Sequence, residues 1–226
     1  MIQNLTGKSN IYTAVFLDLD GTITESGIGC INGIKYMFEK IGFAQYSKEE
    51  LSTFIGPPII HHLMELYGFN EKDATKAYEF FKEYYHNQGI YESRLYDGIR
   101  EAIIDIKDSG KKIYLATSKP EAQALCVLEH YNLLSLFSDV FAARHDLGVY
   151  NKSQVLERAV SLIGGIPRSI MVGDRHYDIL GGKHVGFDTA GVLYGYGDIK
   201  ELTAAGCDYI VDTAQDLSKL LGRNNI

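Results

Sequence analysis

The run Tyr12, Thr13, Ala14, Val15, Phe16 and Leu17 passes without a break into Asp18, Leu19, Asp20, Gly21 and Thr22. A short apolar, β-branched and aromatic run that ends in polar and glycine residues predicts a buried strand entering a turn. Asp18 and Asp20 stand two apart at its end, so their side chains project toward the same side. Ligands of open α/β sheets bind beyond the carboxyl ends of the strands, which is where these two carboxylates fall. A lone strand-end aspartate most simply caps a turn; a pair followed by Gly-Thr after an apolar strand points to chemistry.

Working outward, similar short runs recur at Lys112–Ala116, Asp139–Ala142, Ser169–Val172 and Thr189–Leu193. Helical periodicity lies between them: Ile99, Ala102, Ile103 and Ile106 with Gly110 as a stop, then Lys152, Val155, Leu156, Ala159, Val160 and Ile163. Alternation of this kind predicts an α/β protein with a doubly wound, Rossmann-like parallel sheet. From Ser26 to Arg94 only helical signals occur: Ile31, Ile34, Met37, Phe38 and Ile41, then Ile59, Leu63 and Leu66, then Ala74, Ala77, Tyr78 and Phe81 after an Asn70 cap. The expected organisation is therefore an α/β core of residues 1–25 and 95–226 with an all-helical insert of 26–94. Gly56, Pro57 and Pro58 predict a rigid turn inside the insert. Met1–Asn10 and Gly222–Ile226 are expected to fray.

The composition agrees with a folded chain: 46% of 226 residues are hydrophobic and 23% charged, enough for a core without disulfides or structural metals. Lys and Arg total 22 against 29 acidic residues, a formal charge of −7 that disfavours nucleic acid and anionic membranes as partners. Cys30, Cys126 and Cys207 form no metal or disulfide pattern and are expected as buried or half-buried free thiols. Neither a signal-peptide core nor an apolar stretch of membrane length, about 18 residues, is present, so a cytoplasmic location is expected.

A second acidic cluster follows the run Ser169–Val172: Gly173, Asp174, Arg175, His176, Tyr177 and Asp178. Asp174 and Asp178 are four apart, so a helix starting here would face both carboxylates one way. Four carboxylates in a small volume repel one another, and a hard divalent cation such as Mg²⁺ relieves that repulsion. The simpler alternative for Asp178 is an acid in a helix's first turn, satisfying the macrodipole. Thr117, Ser118, Lys119 and Pro120 put hydroxyls at another strand end, with free amides at the following helix start, the parts of an anion site. Lys152 opens a helix, where a lysine is ordinarily solvated.

Asp-x-Asp-Gly-Thr, a strand-end Thr, a later Lys and Gly-Asp-x-x-x-Asp, in this order over nearly the whole chain, resemble the haloacid dehalogenase superfamily of phosphohydrolases. Within it the helical insert is like the C1 cap, and Gly173–Gly197 is similar to the phosphoglycolate phosphatase branch. The chain departs from that pattern in carrying Glu25-Ser26 for Asp-Ser, and in lacking Lys-Pro in the segment His145–Asn151. The resemblance implies Asp18 as nucleophile through an aspartyl-phosphate and Asp20 as acid and base. It implies Asp18, the backbone carbonyl of Asp20, Asp174 and Asp178 around Mg²⁺. Gly21, Thr22, Thr117, Ser118 and Lys152 would then hold phosphoryl oxygens, and the cap would close over the site and select the substrate.

The expected function is Mg²⁺-dependent hydrolysis of a small, phosphoglycolate-like phosphomonoester by a monomer or homodimer. A 5'-nucleotidase, a pyrophosphatase, a sugar-phosphate mutase, or a non-catalytic phosphometabolite-binding protein are the alternatives. Thr6, Gly7, Lys8 and Ser9 imitate the end of a P-loop, but Ile2 stands where its first glycine belongs, and Gly27-x-Gly29-x-x-x-Gly33 misses the dinucleotide fingerprint. Adjacent His61 and His62 point about 100° apart on a helix, which argues against a metal pair, and Tyr78, Phe81, Tyr84 and Tyr85 are expected to pack.

Overall fold

The structure is a computed structural model that describes residues 1–7, 11–43, 46–47, 50–51, 53–55, 59–149, 151–164 and 168–222. The Gly56–Pro58 turn, residues 8–10 and residues 223–226 lie outside these residues. Strands are β1 Ile2–Asn4, β2 Ala14–Leu17, β3 Thr24–Glu25, β4 Arg94–Leu95, β5 Lys112–Pro120, β6 Asp139–Ala143, β7 Ser169–Gly173, β8 Asp188–Val192 and β9 Tyr209–Val211. Helices are α1 Gly27–Lys40, α2 Ile59–Tyr67, α3 Glu71–Asn87, α4 Ile99–Asp108, α5 Glu121–His130, α6 Lys152–Ile163, α7 His176–His184, α8 Ile199–Ala204 and α9 Ala214–Leu221. The chain divides into two compact units, Met1–Glu25 with Leu95–Ile226, and Ser26–Arg94.

The first unit is α/β. Among the described residues its main sheet has seven strands in the order β1-β9-β8-β7-β2-β5-β6, parallel except for β1, which pairs antiparallel with β9. Ala14, Val15, Phe16 and Leu17 are all buried, as an uninterrupted apolar run requires when helices cover both faces of a parallel sheet. Phe16 stacks on Tyr114 at 4.8 Å and meets Phe187 at 4.9 Å, fixing the middle of one face. Helix α6 begins on a capping box, Asn151 accepting from the Gln154 amide and Gln154 from the Asn151 amide, and ends on Gly164 at φ 82°.

Strands β1 and β9 correct the expectation drawn from the sequence. Each has three residues, too few for a period-two pattern, and only pairing identifies them. Within the N-terminal segment expected to fray, Ile2–Asn4 thus forms an edge strand, with Ile2 opposite Val211 and Asn4 opposite Tyr209. Cys207 is buried and Cys30 half-buried, but Cys126 is exposed, contrary to expectation.

The second unit is helical where it is described. Asn70 caps α3 by accepting the Asp73 amide at 2.9 Å. Its interior is aromatic: the Phe38 ring lies 5.0 Å from Phe43, 5.4 Å from Tyr67 and 5.7 Å from Phe54. Phe81 stacks between Tyr78 and Tyr85, so the tyrosine-rich face of α3 is packing as expected. A Cβ on Gly29 would sit 1.9 Å from the Gly89 carbonyl oxygen, so α1 can approach that segment only with glycine there. His62 Nε2 lies 2.7 Å from Thr53 Oγ1 while His61 is exposed, so the two histidines do not converge.

Candidate active site

Strand order builds the site. Leu17 lies opposite Val172 of β7 on one side and Leu115 of β5 on the other, so the residues just beyond these three positions emerge at one level of the sheet. They include Asp18, Asp174 and Thr117. Asp18 donates its amide to the Val172 carbonyl at 3.0 Å, which holds the backbone straight up to the carboxylate. The chain then turns sharply at Gly21, φ 85°, where any Cβ would lie 2.2 Å from Asp174 Oδ2. Both the left-handed backbone and the close approach of Asp174 demand glycine here.

Asp18, Asp174 and Asp178 bring carboxylate oxygens within 4.8 Å of one another, the one such acidic, His or Cys group among the described residues. Asp174 does not belong to the helix, as its spacing to Asp178 had suggested. It follows β7 directly, and α7 starts at His176, with Asp178 in its first turn accepting the Arg175 amide at 3.1 Å. Arg175 and the His176 amide are in turn anchored on Glu201, each at 2.9 Å, which fixes the turn between the two aspartates. The expected gathering of four carboxylates is also corrected: the Asp20 side chain stands outside the group, 2.8 Å from Lys119 Nζ.

Lys152 is buried, not solvated. Its Nζ lies 2.7 Å from Asp18 Oδ1 and 2.7 Å from Asp178 Oδ1 and donates to the Ala116 carbonyl at 2.6 Å. These are ion pairs by distance, although neither carboxylate oxygen has a donor in hydrogen-bonding geometry. Burial acts to lower the Lys152 pKa, but Asp178 and Asp18 outweigh it and hold the proton on the amine. Burial pushes Asp18 up to about 6, against the pull of Lys152. Burial, reinforced by Asp178 and Asp18, pushes Asp174 up to about 8.

Those shifts and the donor set provide a test for a cation. Asp174 Oδ1, buried, has no hydrogen-bond partner, while Oδ2 accepts the Tyr196 amide at 2.8 Å. Buried carboxylate oxygens without donors are costly unless protonated or bound to a cation, and an all-oxygen set suits a hard divalent ion. Asp18, Asp174 and Asp178 therefore fit such an ion.

Of the expected phosphate contacts, Thr117 is buried and its Oγ1 accepts the Lys119 amide at 3.2 Å, whereas Ser118 is exposed. The Gly21 amide is donated to the Thr24 carbonyl at 2.8 Å and the Thr22 amide to the Leu19 carbonyl at 3.3 Å. These two amides, expected to hold phosphoryl oxygens, are committed to closing the turn. The Leu19 amide instead supports the Asp18 carboxylate, and the buried Thr22 hydroxyl has no hydrogen-bond partner.

Two features escaped the sequence reading. Lys119 is buried beside Thr117, two positions on, a spacing that could have singled it out. The loop after β8 crosses the site: the Tyr194 hydroxyl donates to the Thr22 carbonyl at 3.1 Å, and a Cβ on Gly195 would lie 2.3 Å from the Gly21 carbonyl oxygen.

A carboxylate triad beside a buried ammonium, with a further acid held apart on a second lysine, thus gathers at one end of an α/β sheet. A family model described as haloacid dehalogenase-like hydrolase matches residues 15–192, and the chain belongs to that family. It is 31% identical over 194 residues to a 5'-nucleotidase of Pseudomonas aeruginosa, covering 85% of this chain and 88% of that one. It is equally 31% identical, over 211 residues, to the tyrosine-protein kinase PtkA of Mycobacterium tuberculosis, covering 92% of this chain and 72% of that one. The crystal structure of a candidate phosphatase from Clostridium difficile matches with a TM-score of 0.87 and 34% identity over 93% of this chain and 98% of that one. The resemblance carried by the four sequence motifs is borne out.

Proposed function

We propose that the chain is a Mg²⁺-dependent phosphomonoester hydrolase that acts on a small phosphorylated metabolite through an aspartyl-phosphate on Asp18. The observation that carries this reading is the convergence of Asp18, Asp174 and Asp178, with the buried Lys152 paired to Asp18 and Asp178. Asp18, Asp174, Asp178 and the backbone carbonyl of Asp20 would hold the cation, which when bound supplies positive charge to the carboxylates and phosphoryl oxygens.

The chain's own groups then divide the work. Lys152 fixes one oxygen of Asp18 and adds positive charge where phosphoryl charge redistributes. An Asp18 oxygen attacks phosphorus as the bond to the leaving oxygen breaks, and Asp20 protonates that oxygen. In the second half Asp20 takes a proton from water, whose oxygen attacks phosphorus and frees Asp18 and inorganic phosphate. The Thr117 hydroxyl, on the neighbouring strand β5 just past the Leu17–Leu115 pairing, is the remaining phosphoryl contact. The helical unit Ser26–Arg94 is assigned as the C1 cap that selects the substrate. Similarity to a 5'-nucleotidase supports nucleoside monophosphates as candidates beside phosphoglycolate and pyrophosphate.

A screen of the purified chain over phosphorylated metabolites, with Mg²⁺, Ca²⁺ or excess chelator, tests the reading. Phosphate release with Mg²⁺, weak release with Ca²⁺ and none with chelator is the expected result; undiminished turnover in chelator would overturn it. Rapid-quench mass measurement with an aryl phosphate assigns the two aspartates. Asp20→Asn should accumulate phosphoenzyme and Asp18→Asn should form none; phosphate on the Asp18 variant would reverse the roles.

A further inference from the structure

Lys119 has a side chain only 6% exposed, and its Nζ lies 2.8 Å from Asp20 Oδ2. A lysine so buried is stable as an ammonium only beside an anion, and breaking such a pair leaves a charge out of water. The Asp20 side chain is 32% exposed. Lys119 owes this placement to an irregularity in the sheet. β5 and β6 are in register at Ala116 with Phe141 and again at Pro120 with Ala143, so four steps of β5 match two of β6. Strand bulges beside sites re-aim side chains, and this one carries Thr117, Ser118 and Lys119. The Lys119 amide bond to Thr117 Oγ1 ties the turn of the bulge to the same strand end.

Two lysines thus serve two aspartates. Lys152 lies on Asp18 within the carboxylate triad, and Lys119 lies on Asp20 outside it. The other Asp20 oxygen meets the Thr24 hydroxyl only at 3.5 Å, so Lys119 supplies the closer hold on this side chain. An acid and base that exchanges protons with the leaving oxygen must stay out of the cation's ligand group while remaining accessible. We propose that Lys119 is the positioning residue for Asp20: it draws that carboxylate away from Asp18, Asp174 and Asp178 and keeps it oriented for proton transfer at the leaving group. The inference rests on the phosphatase reading for the role of Asp20, but the Lys119–Asp20 pairing is a structural claim of its own.

The test uses the full chain with Lys119→Met and Lys119→Arg, steady-state kinetics on an alkyl and an aryl phosphate, and crystal structures of wild type and Lys119→Met. An alkyl leaving group needs protonation and an aryl one does not. Lys119→Met should lower kcat on the alkyl phosphate by about 30-fold, with KM changed by less than about threefold. The loss on the aryl phosphate should stay below about fivefold, and Lys119→Arg should recover most of the alkyl activity. Asp20 should leave its wild-type position in the Lys119→Met crystal. Equal losses on both substrates, a rise in KM at constant kcat, or no recovery by arginine would overturn the proposal. If the wild type hydrolyses neither substrate, the phosphatase reading falls; an unmoved Asp20 carboxylate in Lys119→Met then overturns the positioning claim, and a displaced one sustains it. Should Lys119→Met fail to fold, Lys119→Gln takes its place in every arm.

Discussion

The two units bury different things. In the unit Met1–Glu25 with Leu95–Ile226, charged side chains are buried, among them Lys119, Lys152, Asp174 and Asp178. In Ser26–Arg94 the buried residues described are apolar or aromatic, Ile34, Met37, Phe38, Phe54 and Leu63 among them, with no buried charge. Apolar burial stabilises a fold directly, whereas buried like charges cost free energy and persist where a ligand or a reaction uses them. The first unit buries charge at a cost in stability; the second does not.

Asp174→Ala should show this most strongly. It removes a proposed cation ligand, so turnover should fall by about 10³-fold or more, roughly 4 kcal/mol of barrier. The same change removes a buried acid from beside two others, so the chelated protein should melt higher, not lower. A lower melting temperature in chelator would break the comparison, because Asp174 would then be holding the fold.

Phe38→Ala tests the other side. Truncating a fully buried ring with neighbours at 5.0 to 5.7 Å should cost about 3–4 kcal/mol of stability. Hydrogen exchange should lose protection first within Ser26–Arg94. Equal loss across Leu95–Ile226 would mean that the two regions unfold as one, and the contrast would dissolve.

The pH dependence sharpens the contrast further. Folding raises Asp18 from 3.8 to about 6 and Asp174 from 3.8 to about 8, so between these values the folded chain binds more protons than the unfolded one. Stability of the chelated protein should therefore fall as pH rises from about 4 to about 8. Mg²⁺ should restore more stability at the upper end of this window, where it displaces fewer protons. Calorimetry at pH 5 and pH 8 with and without Mg²⁺ checks this; a larger gain at pH 5 would contradict it. The cost of Phe38→Ala should be the same at both pH values.

The smallest effect is expected for Tyr194→Phe. It deletes the hydroxyl that donates to the Thr22 carbonyl while keeping the ring against Tyr96, 4.8 Å away. One hydrogen bond to the turn after Asp18 is worth about 1 kcal/mol, so kcat should fall about fivefold with little change in KM. A change confined to KM would show that Tyr194 acts on substrate binding and not on the turn.

The sequence alone determined the α/β class, the strand-end positions of Asp18 and Asp174, the helical periodicity of α6, and α3 with its Asn70 cap. Those are local matters: an apolar run, a capping residue and a glycine stop are each legible within a few positions. Only the tertiary structure decided that β7, β2 and β5 are neighbours, and so that Asp178 and Lys152, from different helices, meet at Asp18. It likewise decided that the Gly21 and Thr22 amides close a turn, that Ile2–Asn4 is a strand, and that Lys119 is buried against Asp20. A lysine or a three-residue strand looks the same in sequence whether solvated or buried, because what distinguishes them is the partner supplied from far along the chain. Lys119 and Asp20 are 99 residues apart, and only the packing of β5 against β2 brings the ammonium to the carboxylate.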